Sequence, residues 1–321
     1  MSKFRFGLLN LLVVYFVWGS TFLAIRVAVN GDQAFSPFML AALRVGIAGS
    51  ILLIDSFFRR EVLNLRPRLF VKLALSGFLF WFGGHALLIW VSRWAHSGYA
   101  ALIFASIPLW TAVIEAIKNP AARSLSRLFP VLLGFAGILV LSLPEYLNAK
   151  TPDENHFAGT LLLLLSAFSW ALGTSFHDEE MDRLPVNVSA GLQQTFAAVF
   201  CFIASILAGE SLAPVSSSAL WSLGYLVTFG SILAFSCFVR ASHVLPNQLV
   251  SSFAFVNPLV AVGLGAFFLD EPVTVWTFLG MLLILSSVAW LFLEIGPRKK
   301  IGGPNLRPPE NLPRDQARHV P

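Results

Sequence analysis

Charge is what this sequence has least of. Of 321 residues only 12% are charged, 22 Lys and Arg against 17 Asp and Glu. A soluble domain carries about 25%, and so few charges cannot coat a globule of this length. Cytosolic enzymes and nucleic-acid binders are therefore excluded, although the net charge is +5. Cysteine is nearly absent as well. Cys201 and Cys237 sit in apolar stretches, outside any C-x-x-C or Cys/His grouping. That excludes a disulfide framework and a zinc site, and no metal or cofactor is expected. The chain also lacks a Walker A loop, an H-E-x-x-H pair and a G-x-S-x-G elbow, which argues against ATP drive and against an intramembrane hydrolase.

What is present is apolar length. Residues of apolar type make up 56% of the chain, and thirty of them are Phe. A membrane helix needs about 20 predominantly apolar residues. Ten stretches reach or approach that length: Phe6–Val29, Pro37–Phe57, Leu69–Val91, Gly98–Ile117, Leu128–Leu143, Ala158–Phe176, Asn187–Ala208, Ala219–Val239, Gln248–Leu269 and Val273–Leu293. Lys3 and Arg5 precede the first. Its length, and the lack of an A-x-A-type cleavage site after it, make it a span and not a signal peptide. The runs show no alternation, which excludes membrane strands. The expected fold is all-α, a polytopic membrane protein of ten helices.

Lys and Arg mark the cytoplasmic side. With the N-terminus inside, only Arg26, Arg44, Arg93 and Lys150 fall elsewhere, leaving 18 of the 22 cations on one side. Both termini are thus expected in the cytoplasm. The segment His177–Arg183 is acidic yet falls inside, and acidic residues weigh little in this rule. The positive charge reports topology and a basic tail, with no nucleic-acid partner implied.

Shifting the chain by about 150 residues brings Trp18 near Trp170, Arg44 onto Gln193, Arg93 onto His243 and Pro108 onto Pro258. Two repeats of five spans each follow. An odd number of crossings forces the second repeat to run the opposite way, the inverted arrangement of secondary transporters, whose substrate site lies between the halves. The expected organisation is a cytoplasmic N-terminus at 1–5, a first repeat at 6–143, an external linker at 144–157, a second repeat at 158–293 and a disordered basic cytoplasmic tail at 294–321. A channel should show rings of charge or carbonyls, and none is evident.

The motifs WGSTFLAIR (18–26), PFMLAALR (37–44), SGYAALIFASIPLW (97–110), GFAGILVL (134–141), SAFSWALGTSF (166–176), GYLVTFGSILAF (224–235) and FAFVNPLVAVGLGAFFLDEPVT (253–274) make the chain resemble EamA-type carriers of the drug/metabolite transporter superfamily, in particular the amino-acid/metabolite exporter branch. The resemblance spans residues 6–293 and implies ten helices, two EamA repeats, a central pocket and an inner-membrane location. In this chain Ile117-Lys118-Asn119-Pro120 replaces the Gly-Glu turn that normally ends the fourth helix.

Ionisable groups inside hydrocarbon are costly and are functional candidates by default. Arg44 lies seven residues into the second span. It reads either as an anchor for an anionic substrate group or as a structural Arg bonded to helix carbonyls. Glu115 reads as a proton carrier or as an i,i+3 partner of Lys118. His85, in the third span, can titrate near neutral pH or serve as a satisfied core residue. Pro108 and Pro258 each remove a helix N–H and clash with a carbonyl four residues back. Their matched places suggest paired kinks that line the pocket or hinge gates, or plain helix curvature. Ser106 and Asn257 stand beside them as polar groups for substrate. Trp18 and Thr21 share a face of the first helix, and Trp170 repeats the idea in the sixth, as an aromatic wall or as packing. Gln193 is the repeat partner of Arg44. The expected partners are a small-molecule substrate and the lipid bilayer, with a homodimer left open.

Overall fold

The computed structural model describes residues 3–61, 66–118, 125–148, 154–176, 181, 183–211, 213–245, 250 and 253–295. Among these residues there is no strand. The helices are α1 (Lys3–Val29), α2 (Pro37–Phe58), α3 (Pro67–Val91), α4 (Ser97–Lys118), α5 (Leu125–Asn148), α6 (Glu154–Phe176), α7 (Val186–Leu207), α8 (Ser217–Val244), α9 (Phe253–Leu269) and α10 (Val275–Ile295). Seven are long and apolar enough to cross a membrane, and α5, α9 and α10 carry shorter apolar stretches. The acidic segment, apart from Met181 and Arg183, and the tail from residue 296 onward lie outside the described residues.

The bundle wears its apolar residues outward. Phe58 is 78% exposed, Leu139 72% and Leu207 82%. A surface of this kind needs lipid around it. Regular helix satisfies most backbone groups from within, as hydrocarbon requires.

The helix pairing obeys the repeat. α2 packs on α7, α4 on α9 and α5 on α10, each helix on its own counterpart. α1 packs on α8 and α9, as α6 packs on α3 and α4. α3 meets α7, as α8 meets α2. Exchanging the two sets of five therefore returns these pairings, and the fold is two inverted five-helix repeats. Glycine sets the closest crossings. A Cβ on Gly49 would stand 2.9 Å from the Gly191 carbonyl oxygen, and one on Gly280 would stand 3.0 Å from that of Gly137. Small residues at a crossing let backbones touch, which is how helices associate in lipid.

The ends of matched helices are built alike. α2 closes with Glu61 N–H donating to the Ser56 carbonyl, and α7 with Glu210 N–H donating to the Ser205 carbonyl. The turning residue is left-handed in both, Arg60 at φ 56° and Gly209 at φ 67°. α2 starts on Pro37, whose missing N–H is harmless in a first turn. The free N–H groups of Phe38 and Met39 donate to the Glu210 carboxylate at 3.2 and 2.9 Å. α4 is capped in the same manner by Glu271, which accepts from Ser97 N–H (2.8 Å), Ser97 Oγ (2.8 Å) and Gly98 N–H (3.3 Å). Carboxylates at helix N-termini complement the dipole.

Two features depart from regular helices. α3 and α8 each contain a π-helical segment, Phe78–Ala86 and Leu226–Leu233, at matching places in the two repeats. α4 is broken at Ala105 and Ser106 into Ser97–Phe104 and Ile107–Lys118. Pro108 therefore sits in the first turn of a new helix, where it clashes with nothing, and the expected mid-helix kink is a break instead. Pro258 does lie inside a continuous α9. The two prolines match in sequence and differ in structure.

Candidate functional site

The π segments flank a central cavity. An i→i+5 turn inserts a residue into the helix, frees a carbonyl and turns the following side chains to a new face. α6 bonds to carbonyls within this segment of α3: Ser169 Oγ donates to that of Leu79 at 2.8 Å, and Ser166 Oγ donates to that of Gly84. Gly83 permits the approach, since a Cβ there would overlap Ser169 Oγ. In the other repeat α1 does the same for α8, with Trp18 Nε1 donating to the Gly230 carbonyl at 3.2 Å.

The cavity lies between α1, α2, α3, α4, α6 and α9 and holds about 40 Å³. That is room for a few waters and too little for a metabolite, so a substrate must part the helices to enter. Its wall is aromatic. His85 stands 4.9 Å from the Trp81 ring, 5.0 Å from Trp170 and 5.9 Å from Phe104. Trp18 meets Phe253 edge-on at 5.1 Å.

Arg44 is the charge in this wall. It is 1% exposed. Its Nε donates to Ser231 Oγ, in the π segment of α8, at 3.0 Å. The guanidinium carbon stands 5.8 Å from the Trp81 ring centre, close enough for a cation–π contact. One terminal nitrogen, NH1, is buried with no hydrogen-bond partner among the described residues. Among the described residues Arg44 makes no ion pair. A buried guanidinium with a free N–H edge and no counter-ion is suited to receive an anion, since its fork matches a carboxylate.

Six of the sequence candidates line this cavity: Trp18, Thr21, Arg44, His85, Trp170 and Asn257. Thr21 spends its hydroxyl proton on the Trp18 carbonyl at 2.6 Å. With its nitrogen placed to donate, the Asn257 amide reaches the carbonyls of Phe253 (3.2 Å) and Tyr15 (3.1 Å), tying α9 to α1. His85 Nδ1 lies 3.4 Å from the Phe80 carbonyl.

The other candidates stand elsewhere. Gln193 donates to Ser189 Oγ at 3.0 Å and accepts from Ser76 Oγ at 3.3 Å. It fastens α7 to α3 and does not face the cavity, although it is the repeat partner of Arg44. Ser106 is fully buried at the α4 break, its hydroxyl unpartnered among the described residues, and is not in the wall. Glu115 is also outside the wall. Lys118 donates to the Ser175 carbonyl at 3.2 Å and lies over the Phe176 ring. Neither proline lines the cavity. Sequence reasoning missed Trp81, Ser231 and Phe253. Trp81 and Ser231 belong to the π segments, which leave no mark on apolar periodicity.

A second polar group closes one end of the bundle. Arg26, at the end of α1, donates to the Ser92 carbonyl at 2.7 Å and stands 4.0 Å from Glu271. Glu271 thus joins α1 to the start of α4 from the α9–α10 turn.

Ten helices in two inverted repeats, an apolar exterior and a central cavity between the halves define an integral membrane transporter. Comparison with known proteins agrees. The model of the EamA-like transporter family matches residues 5–143 and 157–293. The chain belongs to that family. It is 32% identical over 303 residues to the uncharacterized inner membrane transporter YedA of Escherichia coli strain K12, covering 92% of this chain and 94% of that one. It is 26% identical over 295 residues to a protein of the same strain named "Probable amino-acid metabolite efflux pump", covering 88% and 93%. A solved structure described only as the crystal structure of a protein superposes with a TM-score of 0.63 at 21% identity, over 90% of this chain and 96% of that one. That likeness concerns the fold alone.

Proposed function

We propose that the protein is a secondary carrier of the inner membrane that exports small amphipathic metabolites, such as amino acids or related compounds, by alternating access, and that it is not an enzyme. The observation that carries this reading is Arg44, buried between the repeats with a free N–H edge and no counter-ion among the described residues. An unpaired charge in the membrane is expensive, and a bound substrate carboxylate would offset that cost while the aromatic wall takes the apolar part. The inverted repeats support two states of similar energy, opening on opposite sides. The names of the relatives, an inner membrane transporter and an efflux pump, point the same way. The charge asymmetry supports cytoplasmic placement of both termini.

Uptake of carboxylated metabolites into everted membrane vesicles tests the anchor. Arg44→Gln keeps most of the side-chain volume and removes the charge. It is expected to abolish uptake at wild-type expression and melting temperature. Undiminished uptake would contradict the assignment.

A further inference from the structure

The cavity holds one fixed cation and, among the described residues, no carboxylate. That imbalance bears on which amphipathic molecule fits, and the argument rests on Arg44 being the anion anchor. A zwitterionic amino acid brings an ammonium as well as a carboxylate. Its three N–H donors need acceptors once water is stripped away. The wall offers few. The Gly230 carbonyl accepts from Trp18. Thr21 and Asn257 have already turned their protons to backbone carbonyls, leaving one side-chain oxygen each, and His85 adds one ring nitrogen beside the Phe80 contact; none of the three is anionic. The Trp81 face lies against Arg44 itself. The remaining Trp faces attract a desolvated cation, but by less than burying an ammonium costs.

Charge balance points the same way. A monoanion on Arg44 leaves the cavity neutral. A zwitterion leaves it with the same uncompensated positive charge as the empty site. Trp18, Phe104, Trp170 and Phe253 meanwhile offer an apolar surface to a hydrocarbon or aryl body. We propose that the preferred substrates are monocarboxylates with an apolar or aryl body and no charged amine, in preference to free amino acids.

Four matched probes test this on the purified full-length protein in nanodiscs at neutral pH: 3-phenylpropionate, N-acetylphenylalanine, phenylalanine and phenethylamine. Calorimetric titration is expected to show both acids binding at least about tenfold more tightly than phenylalanine, a difference of roughly 1.4 kcal/mol, with phenethylamine not binding. Acid binding should vanish in Arg44→Gln and persist, weakened, in Arg44→Lys. Phenylalanine binding as well as the acids, or none of the four binding, overturns the preference. If phenylalanine matches the acids and all binding is lost in Arg44→Gln, the substrate class is wrong and the anchor stands. If the acids bind Arg44→Gln as tightly as wild type, the anchor itself is wrong.

Discussion

Ser231 gives Arg44 its direction. The guanidinium is held at Nε by one hydroxyl, and that bond leaves its outer N–H edge free for an incoming anion. A hydrogen bond to a charged group contributes about 1.5–3 kcal/mol. Ser231→Ala should therefore weaken substrate binding by about tenfold while leaving the protein folded. The check is KM in vesicle uptake: the expected result is a raised KM with little loss in maximal rate, and an unchanged KM would detach Ser231 from the site. Arg44 itself was legible in the sequence, because a lone cation seven residues inside an apolar span has few explanations. Ser231 was not. Serines are common in membrane helices, and nothing in the order of residues says which one meets a guanidinium from a helix 187 positions away. Gln193 misled for a related reason. The sequence offset matches it to Arg44, yet it uses Ser76 and Ser189 where Arg44 uses the cavity.

At the scale of elements, glycine crossings and turn residues carry the stability. Gly49 of α2 faces the backbone of α7, where an added Cβ would meet Gly191 O and Thr195 N, both at 2.9 Å. Backbone cannot swing aside as a side chain can. Gly49→Ala should lower stability by about 1–3 kcal/mol, the usual cost of overpacking, read as a fall in melting temperature in detergent. The left-handed turn after α2 predicts the opposite sign. Arg60 occupies at φ 56° the place that Gly209 fills in the second repeat, and a residue with a Cβ pays about 1 kcal/mol there. Arg60→Gly should therefore raise stability by up to about that amount; a lower melting temperature would show that the side chain does more than the backbone asks. The ten apolar stretches predicted these helices to within a few residues at most ends, because hydrophobic length is what a bilayer selects. The π segments of α3 and α8 and the break in α4 stayed hidden. Each depends on hydrogen bonds from a neighbouring helix or on where a proline finds room, and so on the tertiary structure.

On the scale of the whole molecule, the repeat was the most informative pattern. A near-constant offset in sequence became a set of main helix pairings that map onto one another when the halves are exchanged. Both halves line the cavity, yet its charge comes from one half only, since Arg44 has no cationic counterpart in α7. In the proposed carrier, symmetry supplies the two states and asymmetry supplies the chemistry. The most direct test of this account is solute counterflow in proteoliposomes, preloaded with unlabelled 3-phenylpropionate and diluted into the labelled acid. A carrier whose central site is Arg44 predicts a transient overshoot of label in the wild type and none in a stably folded Arg44→Gln variant. An undiminished overshoot in the variant, or in the wild type simple equilibration without overshoot, would contradict it.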